Sequence, residues 1–225
     1  MNVLFITNWF PSKDKPASGL FIKEHAIAVH KQDVEVKIIQ VRAIDSNKIL
    51  QKRVDHRWED GIEVVSLFWE SRFYKILHHF LFLFTASVQD VLDNQFKNFT
   101  PDIIHGHVIY PSGLIARHLA QKKEVAYHLS EHWSNAADFI NNPVYGRKAK
   151  KVYEQSYKVY PVSHWLKERV ENKLNKNKNS EVIPNVVSPD LFTYSPAKNQ
   201  DDKRLQLLLV MNLQHRLKRP DLIIK

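Results

Sequence analysis

Short apolar runs alternate with amphipathic stretches along the 225-residue chain, which predicts strands that alternate with helices. The runs are rich in Val, Ile and Leu, a composition typical of strands buried on both faces of a parallel sheet. We therefore expect an α/β fold, a parallel sheet with helices on both faces. The predicted strands lie at residues 2–7, 34–41, 62–67, 102–106, 124–130, 158–162 and 180–184.

Three segments between these strands carry further patterns. Apolar residues recur at near-helical spacing up to Lys31, which predicts a first helix beginning at Gly19. Residues 42–60 are charged and lack a clear period, so we expect a surface excursion between the second and third strands. Residues 72–99 are crowded with aromatic and aliphatic side chains in their first half.

The apolar part of residues 72–99 is too short for a bilayer, which requires about 20 residues. Two interpretations remain, and both are helical. One is a buried amphipathic helix, and the other is a helix whose aromatic and basic residues lie in a membrane interface. Only the exposure of the side chains separates them.

The chain carries a net charge of +9, from 33 Lys and Arg against 24 Asp and Glu. This surplus favours an anionic partner such as a nucleotide, a nucleic acid or phospholipid headgroups. Basic residues cluster at 147–151 and 173–178, and both clusters are also explained as solvated helix faces. The second cluster contains no aromatic residue for base stacking, so we expect no nucleic acid partner.

Cysteine is absent, which excludes disulfides and thiolate metal sites and suits a reducing compartment. The apolar run after Met1 follows no basic region, so it predicts a strand rather than a signal peptide. We expect a cytoplasmic protein.

The carboxyl-terminal part changes in composition. Proline and charge are concentrated at residues 188–203, which predicts a linker after a first domain at 1–187. A fresh strand pattern follows, and residues 204–225 stop within it. We interpret them as the truncated start of a second domain.

Histidines mark the ends of two neighbouring predicted strands. His105 and His107 end the fourth strand, and His132 ends the fifth. Ligands of parallel α/β sheets bind beyond the carboxyl ends of the strands, so we expect these side chains at a pocket. Three imidazoles also fit a zinc site. A purely structural role for each histidine is the other alternative.

The order of these segments resembles retaining glycosyltransferase family four, whose members have the GT-B fold of two Rossmann-like domains facing across a cleft. The resemblance covers the whole chain and depends on the order of its motifs more than on any one of them. It implies the N-terminal half of a GT-B fold, with an acceptor-side Rossmann-like domain at 1–187 and the start of a donor-binding domain at 204–225. The motifs are residues 8–11 with 18–21, 101–107, 130–132, 161–163, 183–187 and 208–224.

The resemblance implies transfer of a sugar, with retention, from a nucleotide-sugar donor to a lipid-linked or saccharide acceptor in polysaccharide or envelope biosynthesis. It implies no cofactor and no metal ion. Contact with an anionic membrane at the inner face of the cell membrane fits the basic charge and the Phe-rich segment. The implied residues are His132 and Glu131 as catalytic, His105 and His107 as acceptor-binding, and Ser18, Gly19, Arg216 and Lys218 as donor-phosphate-binding.

A physical reason supports the phosphate site, because the N-terminus of a helix attracts anions through its free N–H groups and its dipole. The chain departs from the family at Asn212-Leu213, where an Arg-Leu pair is usual, and at Arg219, where a glycine is usual. The glutamates that hold the donor in family members would lie beyond Lys225, so we expect this chain alone to be inactive. The alternative function is a non-catalytic module that binds a saccharide or an anionic lipid.

Overall fold

The computed structural model describes residues 1–77, 79–174, 179–188 and Leu222. Met1–Ser188 forms one unit and Pro189–Lys225 a second. The elements of the first unit are β1 (Asn2–Thr7), α1 (Leu20–His30), β2 (Glu35–Asp45), β3 (Gln51–Glu59), β4 (Ile62–Ser71), α2 (Tyr74–Leu77), α3 (Leu81–Asn94), β5 (Ile103–His107), α4 (Leu114–Lys123), β6 (Ala126–Glu131), α5 (Ala136–Phe139), α6 (Gly146–Gln155), β7 (Lys158–Pro161) and α7 (His164–Leu174).

The seven strands form one sheet in the order β3-β4-β2-β1-β5-β6-β7. All neighbouring pairs are parallel except β3 with β4. The chain builds outward from β1 in one direction and then returns to β5 and builds in the other, so the strand order reverses between β1 and β5. In open α/β sheets, the crevice at this reversal is the usual ligand site. The predicted α/β class with a parallel sheet is confirmed.

Successive side chains of β1 point to opposite faces of the sheet and enter two different cores. Leu4 and Ile6 belong to the larger core, which also contains side chains of α3, α4, α6 and α7. Val3 and Phe5 belong to a smaller core that α1 covers with Ile22 and Ala26. The prediction of helices on both faces is therefore confirmed.

The predicted surface excursion at residues 42–60 is wrong. β2 continues to Asp45, and β3 pairs antiparallel with β4 at the edge of the sheet. The polar residues of β3 that turn toward the sheet have partners there: Arg53 lies over the Phe68 ring at 4.3 Å, and Arg57 donates to Ser66 Oγ at 2.9 Å. An edge strand with charged residues on its inner side shows no apolar alternation, which explains the error.

Two further predictions need correction. Residues 180–184 do not form a strand. Ser180 makes an isolated bridge to Val159, and Glu181 N–H donates to the carbonyl oxygen of Val159. Residues 72–99 form two helices, α2 and α3, rather than one. α3 buries Phe84 and Val88, as expected of a core helix. Exposed apolar side chains precede these residues.

No helix within the described part of the chain is both long and apolar enough to span a bilayer. α1 begins at Leu20 with Gly19 as its N-cap, which confirms the predicted start of the first helix. The predicted linker at 188–203 and second domain at 204–225 lie almost entirely outside the described residues, and this division stays a prediction.

Candidate functional site

A cluster of histidines lies on the α1 side of the sheet beside the reversal point. His105 and His107 alternate with Gly106 on β5 and stack on each other, with ring centroids 4.5 Å apart. His25 of α1 contacts both rings edge-on at 5.6 and 5.5 Å, and Phe5 of β1 contacts both from the neighbouring strand. The expectation that His105 and His107 share a face is met, and His25 is a member that the sequence did not indicate.

A hydrogen-bonded chain connects His107 to the end of β6. His107 Nδ1 lies 3.2 Å from His132 Nε2, and His132 Nδ1 lies 3.1 Å from Asn185 Oδ1. An amide oxygen only accepts, so the proton of neutral His132 is on Nδ1. His132 Nε2 is then an acceptor, and His107 donates to it from Nδ1. The backbone thus brings together three residues from β5, the end of β6 and the segment after α7.

Burial keeps these imidazoles neutral. Desolvation lowers the pKa of His132 from 6.5 to about 4, and it lowers the pKa values of His105 and His107 well below 6.5, with their neighbouring histidines adding to the shift. His107 Nε2 is buried and has no hydrogen-bond partner among the described residues. A proton on that nitrogen would be an unsatisfied buried donor, which is a second reason for the neutral form.

Glu131 is completely buried and binds four donors. Its Oε1 accepts from the backbone N–H groups of His132 at 3.1 Å and Trp133 at 2.9 Å. Its Oε2 accepts from Ile109 N–H at 3.0 Å and from the Tyr153 hydroxyl at 2.8 Å. Desolvation raises the pKa of this carboxyl to about 7, against the opposing effect of its hydrogen bonds. The carboxyl group fastens the loops after β5 and β6 to α6.

The histidines differ in how accessible they are to a ligand, and this accessibility limits the roles they can have. His107 is 0% exposed and His105 is 7% exposed, and His25 of α1 packs edge-on against both rings. His105 Nε2 is also occupied by Ser130 Oγ at 2.9 Å. His132 lies nearer the surface and contacts Phe21 of α1 at 4.7 Å between ring centroids. Acceptor binding by His105 and His107 and catalysis by Glu131 remain predictions.

Gly19 sits where α1 begins, and only glycine fits there. Its φ is 69°, and a Cβ at this position would lie 2.3 Å from the Trp9 carbonyl oxygen. The loop after β1 therefore packs directly on the N-terminus of α1, close to the ring contact between Phe21 and His132. Ser18 precedes it and is partly exposed. Arg216 and Lys218, the other predicted phosphate ligands, lie outside the described residues.

A pocket of about 440 Å³ opens at the same edge of the sheet. Tyr110 contacts the rings of Phe139 at 4.9 Å and Tyr145 at 5.0 Å, and Trp133 contacts Phe139 at 5.5 Å. The pocket is lined by Asn8, Trp9, His79, Val108, Tyr110, Pro111, Trp133, Phe139, Asn142 and Tyr145.

The sequence analysis missed this aromatic pocket. Its walls come from the loops after β1 and β5, from the segment between β6 and α6 that contains α5, and from the residue His79 ahead of α3, so the residues are distant in sequence. One signal was available: Trp133, Phe139 and Tyr145 follow the end of β6 within a short stretch. Aromatic walls with a few amides are typical of a small-molecule site.

The zinc alternative receives no support from the arrangement of the histidines. The facing nitrogens of His107 and His132 are hydrogen-bonded to each other instead of converging on a common point. Within residues 1–77, 79–174 and 179–188, no group of three side chains is arranged to hold a metal ion.

An open, mostly parallel sheet whose strand order reverses between β1 and β5, with helices on both faces, defines the Rossmann-like class of α/β domains. The family model of Glycosyltransferase Family 4 matches residues 19–191. The chain belongs to this family.

A Bacillus subtilis (strain 168) protein named "Putative teichuronic acid biosynthesis glycosyltransferase TuaC" is 26% identical over 227 residues, which cover 95% of this chain and 57% of that protein. An E. coli structure described as "Trehalose-6-phosphate from E. coli bound with UDP-2-fluoro glucose" superposes with a TM-score of 0.58 at 11% identity, covering 85% of this chain and 50% of the other.

The catalytic domain of starch synthase IV from Arabidopsis thaliana, bound to ADP and acarbose, gives a TM-score of 0.52 at 15% identity, covering 88% of this chain and 54% of that one. At these identities the likeness shows the fold alone, and it confirms the expected N-terminal portion of a GT-B fold. The chain spans about half the length of the proteins it matches.

Proposed function

We propose that this chain is the acceptor-side part of a glycosyltransferase that moves a sugar, with retention and without a metal ion, from a nucleotide-sugar donor to a saccharide or lipid-linked acceptor. The observation that carries the proposal is that His132, hydrogen-bonded to His107 of β5, directly precedes Trp133 of the aromatic pocket beside the reversal point of the sheet. Support comes from family membership and from the names of the relatives, which mention teichuronic acid biosynthesis, UDP-2-fluoro glucose and ADP.

In this proposal His132 binds a sugar hydroxyl as a neutral imidazole. Its Nδ1–H points at Asn185, whose side chain is exposed and replaceable. A sugar hydroxyl that takes the place of the amide oxygen would accept the same hydrogen bond. With a pKa near 4, His132 is a poor base at neutral pH. The leaving phosphate then accepts the proton of the acceptor hydroxyl, so the transfer needs no protein base.

Glu131 acts in this scheme as a positioning residue. Both carboxylate oxygens are occupied by donors, and two of these donors are the backbone N–H groups of His132 and Trp133. The carboxylate thereby fixes the backbone at the edge of the cleft. His107 contributes through its hydrogen bond to His132 rather than by direct contact with the acceptor, because α1 covers its ring.

We place the acceptor in the aromatic pocket. The C–H groups of a pyranose face carry partial positive charge and match the electron-rich faces of Trp133 and Tyr110. Ser18 and Gly19 at the N-terminus of α1 would face the donor diphosphate, where the helix dipole attracts negative charge. The role in polysaccharide biosynthesis and the location at the inner face of the cell membrane belong to the same proposal.

The test is a transfer assay on the full open reading frame that contains this chain, offered a panel of sugar nucleotides and saccharide acceptors. We expect a product that keeps the donor's anomeric configuration by NMR, and unchanged activity with EDTA. Trp133→Ala should raise KM for the acceptor more than it lowers kcat, whereas Trp58→Ala, on the exposed edge strand, should change neither. A folded protein that neither hydrolyses nor transfers any sugar nucleotide would contradict the proposal. Full activity of His132→Ala would remove the assignment of that residue.

A further inference from the structure

Four large apolar side chains lie exposed within one short segment ahead of and in the first turn of α3. Phe73, Ile76, Phe80 and Phe82 are 49, 54, 42 and 65% exposed, and we call them the apolar patch. Two of them adjoin, because the Phe80 and Phe82 rings contact each other edge-to-face at 6.0 Å. Exposed apolar groups that adjoin in this way usually mark an interaction surface.

The patch continues into a groove of about 730 Å³ between α3, α4 and α6. Leu81 and Phe82 give the groove its accessible apolar surface, the buried Leu114 and Ile115 lie at its base, and five basic or imidazole side chains surround it. No carboxylate occurs among the described residues that line it. The basic and imidazole residues are Arg117, His118, Lys122, Lys148 and Lys151.

The local fold explains why the lysines of α6 face outward. Gly146, Ala149, Val152 and Tyr153 form the buried face of this helix. Lys148 and Lys151 are three positions apart and therefore lie together on the opposite, exposed side. The charge run at 147–151 is thus a solvated helix face, and its position beside Phe82 gives that face an apolar neighbour.

We propose that the apolar patch and this groove bind the surface of an anionic phospholipid bilayer. Aromatic and aliphatic side chains would enter the headgroup region, and the lysines would contact lipid phosphates. Within the patch segment, the Arg72 guanidinium lies 4.8 Å from the Phe73 ring, so cation and aromatic group are already adjacent there. This proposal rests on the proposed function in one respect, the location of the protein at the inner face of the cell membrane.

Charge decides between a bilayer and the other occupants of such a surface. A second copy of this chain would bring the same lysines together in a molecule that already carries +9. A single-stranded nucleic acid would use the rings for stacking, but the accessible Ile76 and Leu81 offer no stacking face. Acyl chains match aliphatic and aromatic side chains alike.

The position of the patch fits a lipid-linked acceptor. His79 lies directly before Phe80 and lines the aromatic pocket, where its Nδ1 lies 2.7 Å from the Tyr145 hydroxyl. Residues 79–82 therefore separate the pocket from the groove. A bilayer on the patch would bring an acceptor headgroup to the mouth of the pocket.

The test is co-sedimentation of the protein with vesicles of phosphatidylcholine alone or with about one third phosphatidylglycerol, at low and high salt. We expect binding only to the anionic vesicles, weakened by salt. Lys148→Glu/Lys151→Glu should weaken it about tenfold or more. Phe80→Ser/Phe82→Ser should weaken it comparably, and serine suits the N-cap position of Phe80.

Matched variants test whether the surface, rather than overall composition, is responsible. Lys31→Glu/Lys97→Glu makes the same change in net charge at exposed positions outside the groove, and Trp58→Ser removes a 68% exposed ring. Both should bind like the unmodified protein. Three results would overturn the proposal. The first is an equal loss of vesicle binding in Lys31→Glu/Lys97→Glu, and the second is equal binding to neutral vesicles. The third is that the groove and patch variants weaken an oligonucleotide complex instead of vesicle binding. The vesicle assay contains no sugar donor and no sugar acceptor. A negative result would therefore not contradict the proposed sugar transfer to a soluble acceptor.

Discussion

His132 should make the protein less stable as the pH falls. Its pKa in the folded chain is about 4, against 6.5 ordinarily. A histidine with a lowered folded pKa stabilises the fold above its unfolded pKa, and this contribution is lost as the pH falls toward the folded pKa. Between pH 7.5 and pH 5 the unfolded chain gains a proton at His132 and the folded chain does not. The expected loss is about 2 kcal/mol, from about 1.5 pKa units at 1.36 kcal/mol each.

Glu131 works in the opposite direction, so the unmodified protein alone cannot reveal the effect. Its folded pKa of about 7 exceeds 4.5, and its stabilising contribution is present at low pH and lost as the pH rises through 7. The comparison with His132→Gln cancels this contribution. Glutamine retains an amide that can bond Asn185, but it does not titrate.

The assay is urea unfolding followed by tryptophan fluorescence at several pH values, for the protein and for His132→Gln. We expect the difference in free energy of unfolding between them to shrink by about 2 kcal/mol from pH 7.5 to pH 5. His30→Gln is the matched control, because that ring hydrogen-bonds a backbone carbonyl away from the cluster. A difference for His132→Gln that stays constant across this range would refute the buried, neutral imidazole on which the mechanism depends.

Two further substitutions test the packing around the site. Tyr153→Phe removes one of the four donors to Glu131 and should lower the free energy of unfolding by about 2 kcal/mol. Tyr157→Phe, at an exposed ring, should leave the free energy of unfolding unchanged. Equal effects of the two substitutions in urea unfolding would count against the buried carboxylate network. Gly19→Ala should destabilise the fold more than Gly61→Ala does. Both glycines have a positive φ, but only at Gly19 would the added Cβ meet a backbone oxygen, at 2.3 Å. Equal melting temperatures of the two variants would contradict the close contact at the start of α1.

The strands that build the site were predictable because the residues of each strand alone show that it is buried. The apolar runs of β1, β5 and β6 are buried on both faces, so their sequences identify them without knowledge of their partners. The histidines at the ends of β5 and β6 then follow from the rule that parallel strands end at one edge. The start of α1 at Gly19 was also predictable, because apolar residues at helical spacing follow it and a Pro-rich loop precedes it.

Features that depend on tertiary contacts could not be predicted in the same way. Arg53 and Arg57 look solvated in sequence, yet on β3 they contact Phe68 and Ser66 across the strand pair. His25 sits in a helix among apolar and charged neighbours, and only the packing of α1 on β5 brings it to the cluster.

The network around Glu131 has a consequence for ligand binding. Its four hydrogen bonds already hold the backbone at Ile109, His132 and Trp133, together with the Tyr153 side chain. A ligand that enters the aromatic pocket therefore meets walls whose conformational freedom was lost during folding. Little conformational entropy of the pocket remains to be lost on association, so even a ligand that makes weak contacts can be retained there.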